Sequence, residues 1–130
     1  MALEEYRQRI QEHGFMEEPV LELTEELGRE LGQNSTSQVR RFYNAIKALE
    51  RQAKEEIQVK PQLVRLKSQV AYAYARAQKR EKDHGVAFAK FKGFLDASLE
   101  RVLNDPSELR DFARFFEIVY GFYYPYGKER

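Results

Sequence analysis

Residues 34–61 read NSTSQVRRFYNAIKALERQAKEEIQVKP. Val39, Phe42, Ile46, Leu49, Ala53 and Ile57 recur every three or four residues, which gathers them on one face of a helix. A half-buried strand would alternate every second residue, and this stretch does not. Ser35 and Thr36 carry hydroxyls that accept the orphan amides of a helix start, so either caps the helix beyond it. The pattern predicts a helix over about 37–57. Val59-Lys60-Pro61 interrupts it, and Pro61 suits the first turn of another helix.

The same logic extends in both directions. Upstream, a helix over about 2–12 stops near His13-Gly14, and a second over about 19–31 has Pro19 in its first turn and Gly32 beyond its end. Downstream, the helix begun at Pro61 runs to about 82 on Leu63, Leu66, Val70, Ala73 and Ala77, with Val64, Ala71 and Ala75 on a second flank. Asp83-His84-Gly85 marks the next seam, followed by a helix over about 86–103. Asp105-Pro106-Ser107-Glu108 has the order of a capping box before a last, aromatic helix over about 106–123. The expectation is an all-α, compact bundle of five or six helices.

With 130 residues the chain suits one domain. At 42% hydrophobic residues it is no disordered tail, and no apolar run approaches the ~18–20 residues that span a bilayer. Residues 1–10, MALEEYRQRI, lack the apolar stretch of a signal peptide, and there is no cysteine for a disulfide or a thiolate metal site. We therefore expect a cytoplasmic protein with no membrane contact.

Formal net charge is +1, but it is unevenly distributed. Residues 1–33 sum to −6, residues 34–92 to +9 and residues 93–130 to −2. We read 1–33 as an acidic N-terminal helical extension and 34–130 as a basic helical bundle, together a single compact unit. A middle segment this basic points to a polyanion, or to an acidic surface elsewhere on the protein.

Enzymatic chemistry finds little support. His13 and His84 each lie beside a glycine at an expected helix end, where a histidine ordinarily meets solvent. No HExxH, GxSxG, Walker A or dinucleotide fingerprint is present. We expect no catalytic residue, no metal and no cofactor.

The cations are better organised. Arg40, Lys47, Arg51 and Lys54 fall within roughly 60° of arc at 100° per residue, about 120° from the apolar stripe, and no acid of that helix lies among them. Arg41 lies to one side. On the next helix Arg65, Arg76, Lys79 and Arg80 fall within about 100°, interleaved with Gln69 and Tyr72. Rows of guanidinium and ammonium donors on a rigid rod match phosphate spacing, and Tyr72 offers a ring for a base or sugar. Such a surface reads backbone and shape rather than sequence. The bland reading, a solvated helix face, ordinarily mixes signs more evenly. At the C-terminus Phe112, Phe115, Phe116, Val119 and Phe122 have the spacing of core, while Tyr123, Tyr124 and Tyr126 are harder to bury together and suit a partner-facing patch.

Three segments resemble a known family in order. Residues 35–43, STSQVRRFY, are similar to the opening of the main helix in the small helical subunit of type III-A CRISPR (Csm) effector complexes. Residues 66–76, LKSQVAYAYAR, resemble its second signature, and 115–123, FFEIVYGFY, with Gly127-Lys128, its third. The resemblance implies a non-catalytic RNA-binding subunit in antiviral defence. Copies would stack as a filament with other subunits of the Csm complex, beside the channel where target RNA pairs with the guide. Carried over by position, it assigns RNA contacts to Arg40 or Arg41, Lys67, Arg76 and Lys128. Lys47, Arg51 and Arg80 rest on the stripe argument instead. Lys67 points roughly 160° away from the Arg65–Arg80 stripe, so the two serve different contacts or one assignment fails. The rival reading is a helical protein–protein interaction module that self-associates through its acidic and basic surfaces.

Overall fold

A computed structural model of the chain describes residues 1–53, 56–80 and 82–128. The 34–61 stretch contributes to two helices. The first three helices of the chain are α1 (Ala2–Arg9), α2 (Glu18–Leu21) and α3 (Thr24–Glu30). Then comes α4 (Thr36–Gln52), which starts on Ser35, whose Oγ accepts the Gln38 amide at 3.2 Å. It buries Val39, Phe42, Ile46 and Leu49. Ala53 leaves helical geometry at φ −78°, ψ 99°, so α4 stops short of the expected residue 57.

The next helix, α5 (Glu56–Arg80), begins before Pro61 and carries that proline inside it. A proline in a helix interior removes one amide donor and costs about 3 kcal/mol. Here the buried side chains of Val59 and Leu63, on either side of it, anchor the helix.

After α5 comes α6 (Lys82–Asn104), so Asp83-His84-Gly85 lies within a helix rather than at a seam. Gly85 serves close packing: a Cβ there would stand 3.1 Å from Cγ of Gln78. Tyr74 stacks on Phe88 with centroids 6.4 Å apart. Together the pairs 78–85 and 74–88 make α5 and α6 an antiparallel hairpin.

The last helix is α7 (Leu109–Tyr123), entered by a 3-10 turn at Pro106–Glu108 and left by another at Tyr124–Tyr126. Asp105 caps the entry by accepting the Ser107 amide at 3.2 Å and its hydroxyl at 2.6 Å. Glu108 does not complete a capping box. Its carboxylate turns to Arg101 of α6, with Nη2 to Oε1 at 2.8 Å.

The expected second helix is divided at Glu22–Leu23 into α2 and α3. Gly28 sits where α3 crosses α7: a Cβ would meet Phe122 Cβ and the Tyr123 amide, both at 2.7 Å. The all-α bundle expected from periodicity is what forms, with seven α-helices and no strand among the described residues. Its core centres on rings from α6 and α7, Phe91, Phe94, Phe112, Phe115 and Phe116. Leu3, Tyr6, Phe15, Val20, Leu27 and Leu31 from the first 33 residues join the same cluster. Tyr6 stacks on Phe115 with centroids 5.4 Å apart, and its hydroxyl meets Ser98 Oγ at 2.5 Å.

The C-terminal rings reverse part of the expectation. Phe122, read as core, is 42% exposed, and Tyr123, read with the surface tyrosines, is fully buried. The α3–α7 crossing sets this register, and the Tyr123 hydroxyl donates to the Asn34 carbonyl at 2.7 Å.

Candidate nucleic-acid interface

A cleft of about 420 Å³ opens between the start of α4, the C-terminal half of α5 and the first turns of α6. Arg41, Tyr72, Arg76 and Arg80 line it, and so do Gln33, Ser35, Ser37 and Gln38. Ala73, Ala77 and Phe88 form its floor. Among the described residues no acid lines this cleft. Three guanidinium groups with no carboxylate among the described lining residues can receive anions, and each fork can grip a phosphate bidentately.

Secondary structure alone does not bring these groups together. Arg41 lies off the α4 cation stripe, and it reaches the cleft because the α5–α6 hairpin packs beside the start of α4. Tyr72 is 65% exposed, with the Arg76 guanidinium 5.9 Å from its ring centroid. The wall formed by residues 33–38 is pinned from behind. Asn34 Nδ2 donates to the Leu31 and Ala87 carbonyls at 3.1 and 3.0 Å. Lys128 reaches the same wall through its main chain: its carbonyl accepts from the Thr36 amide at 2.8 Å and the Thr36 hydroxyl at 2.9 Å, and its amide donates to the Asn34 carbonyl at 3.1 Å. The Lys128 side chain is exposed beside the α4 start. Residues of all three family-like segments thus converge on this end of the bundle.

The α4 stripe has a different setting. Arg40 donates through Nε to the Tyr120 hydroxyl at 3.3 Å, and that bond, with Tyr124 nearby, raises its already high pKa. Lys47 stands 3.3 Å from Glu117 of α7 and 3.4 Å from Glu50. Desolvation works against its charge, but the two carboxylates outweigh that and hold the ammonium above its ordinary pKa. The α4 stripe therefore meets acid from two sides, Glu117 of α7 and Glu50 of α4 itself. Glu117 also accepts from the Tyr43 hydroxyl at 3.4 Å. Arg51 is exposed further along α4, and Lys54 lies outside the described residues.

On α5, Arg65 is exposed about two turns before the cleft's Tyr72–Arg80 segment, and Lys67 is half-buried and does not line the cleft. Sequence reasoning missed Gln33, Ser37 and Gln38 as cleft residues. Ser35 and Thr36 were legible as a cap, but the partner helix that turns the cap into a wall was not.

A larger cavity of about 650 Å³ lies between α1 and α6, but Asp96, Glu100, Asp105 and Glu108 line it beside Arg7 and Arg101, and Arg101 is already held by Glu108. Carboxylates repel phosphate, so size does not make it the nucleic-acid site. Among the described residues, no three His, Cys, Asp or Glu side chains are grouped as metal ligands, and no helix is long and apolar enough to cross a membrane.

The family described as Csm2 Type III-A matches residues 17–129 of the 130-residue chain. No curated protein and no solved structure gives a match. The family match spans the cleft, the α4 stripe and the aromatic last helix. The chain belongs to the Csm2 family and is a small subunit of the type III-A CRISPR complex, where it associates with other Csm subunits.

Proposed function

We propose that this subunit is non-catalytic and binds RNA in the type III-A CRISPR interference complex of a cytoplasmic antiviral defence. Its ligand is the target strand or the guide–target duplex, gripped through phosphates and sugars without sequence preference. The observation that carries this reading is the convergence of Arg41, Arg76, Arg80 and Tyr72 on one cleft with no acid in its described lining. Arg40, Lys47, Arg51 and Arg65 extend the positive surface along α4 and α5. Lys67 lies off that path and suits a contact with a neighbouring subunit better than one with the same RNA strand. Lys128 flanks the cleft wall.

Arg76→Ala and Arg51→Ala test the reading. Both should weaken RNA binding to a similar degree for unrelated sequences. Equal binding by wild type and both variants, as free chain and as assembled complex, removes the assignment.

The groove between α1 and α6, where four carboxylates outnumber the guanidinium groups of Arg7 and Arg101, favours a second role beside the first. Its carboxylates complement the basic middle segment, which supports self-association and filament assembly through opposite charges. Neutralising Asp96 and Glu100 to the amides should then lower self-association and leave RNA affinity of the free chain unchanged.

A further inference from the structure

Tyr72 is 65% exposed, more than Tyr124 at 50% and Tyr126 at 47%, and unlike those two it lines the cleft. Arg76, one turn further on, holds a guanidinium near its ring, a contact with cation–π geometry. The facing wall offers Gln33, Ser37 and Gln38, whose amides and hydroxyls both donate and accept. Phosphate needs donors only; a mixed donor–acceptor wall matches the edge of a base. At about 420 Å³ the cleft falls in the range of small-molecule sites, about 300–1,000 Å³.

A continuous A-form duplex cannot use these features. Its bases stay stacked, its major groove is too deep and narrow for side chains, and it presents phosphates and 2′-hydroxyls. An unpaired base can leave the stack and lie on a ring, and such stacking tolerates any sequence because every base has a π-face.

We propose that the cleft is a subsite for one unpaired RNA base, stacked on Tyr72 with its flanking phosphates on Arg41, Arg76 and Arg80. This rests on the RNA-binding reading above and narrows its ligand from RNA in general to single-stranded RNA or a strand with an extruded base.

The test uses the full-length chain and three RNAs of equal length: a single strand, a continuous duplex, and a duplex with one unpaired 2-aminopurine. Wild type should bind the first and third more tightly than the second, and quench 2-aminopurine fluorescence in the third. Tyr72→Ala should weaken binding of the first and third by about 5- to 150-fold, the range for loss of one stacked base, and leave the duplex unaffected. Tyr72→Phe should retain binding. Arg76→Ala should weaken all three RNAs. Equal wild-type affinity for all three, or an equal loss for all three in Tyr72→Ala, overturns the base subsite while Arg76→Ala still reports on RNA binding. Failure of every RNA to bind removes both readings.

Discussion

The hydroxyl of Tyr123, at the end of α7, donates to the main-chain carbonyl of Asn34 at 2.7 Å, across 89 residues of sequence. That carbonyl also accepts the Lys128 amide, so one acceptor ties the last helix, the C-terminal turn and the start of α4 together. The wall of the arginine-lined cleft is therefore held by the core aromatic helix.

Removing that hydroxyl should be felt as lost stability. Tyr123→Phe leaves the Asn34 carbonyl with its second donor, so the expected cost is about 1 kcal/mol, the net worth of one buried hydrogen bond. A chain of this size should melt a few degrees lower in a thermal unfolding experiment. An unchanged melting temperature would show that the bond does not hold the wall.

The same residue gives an alkaline signature. Burial pushes the Tyr123 hydroxyl up to about 12, and burial pushes Tyr6 higher still. An acid whose folded pKa is raised keeps its proton longer in the native state, so the unfolded chain binds fewer protons once pH passes about 10. The contribution of these two tyrosines should be constant below that point, and stability should fall as pH rises from about 10 towards 12. Denaturant midpoints across this range should fall less steeply for Tyr123→Phe than for wild type. Parallel curves would contradict the assignment.

Gly28 allows a test whose sign separates two accounts. Helix propensity alone favours Gly28→Ala by about 1 kcal/mol. The α3–α7 crossing predicts the opposite, because the new Cβ would meet Phe122 Cβ and the Tyr123 amide at 2.7 Å. Overpacking of this kind costs about 1–3 kcal/mol, and backbone cannot move aside as a flexible side chain can. The midpoint of urea unfolding should therefore fall; a rise would mean that the helices do not cross so closely.

Glu117 tests the role of the α4 stripe. Its carboxylate stands 3.3 Å from Lys47 and would repel any phosphate passing along Arg40 and Lys47. Glu117 is exposed and Lys47 keeps Glu50 as a second partner, so Glu117→Gln should change stability by less than about 1 kcal/mol. RNA affinity at low salt should rise about twofold to fivefold, with the gain disappearing at high salt as the charges are screened. No gain at low salt would place the RNA away from this stripe.

Much of the fold is legible in the sequence because each helix buries a face whose period is local. Val39, Phe42, Ile46 and Leu49 needed no knowledge of their partners to be read as core. What escaped depends on tertiary contacts. Gly85 read as a stop, yet it marks a close approach between helices, as Gly28 does. Phe122 and Tyr123 are adjacent rings, and only the α3–α7 crossing decides which one is buried. The site followed the same division: Arg76, Arg80 and Tyr72 share a helical face visible from spacing. Arg41 joins them, and Glu117 meets Lys47, only through packing.

The central claim is that the Arg41–Arg76–Arg80 cleft carries RNA, and the salt dependence of binding tests it most directly. Each phosphate contact on a single strand contributes about 0.7 to the slope of log affinity against log salt. Replacing Arg41, Arg76 and Arg80 together by alanine should flatten that slope by about 2, with affinity falling alike for unrelated sequences, in the full-length chain and in the assembled complex. A triple variant that binds RNA with the wild-type affinity and slope would contradict the account.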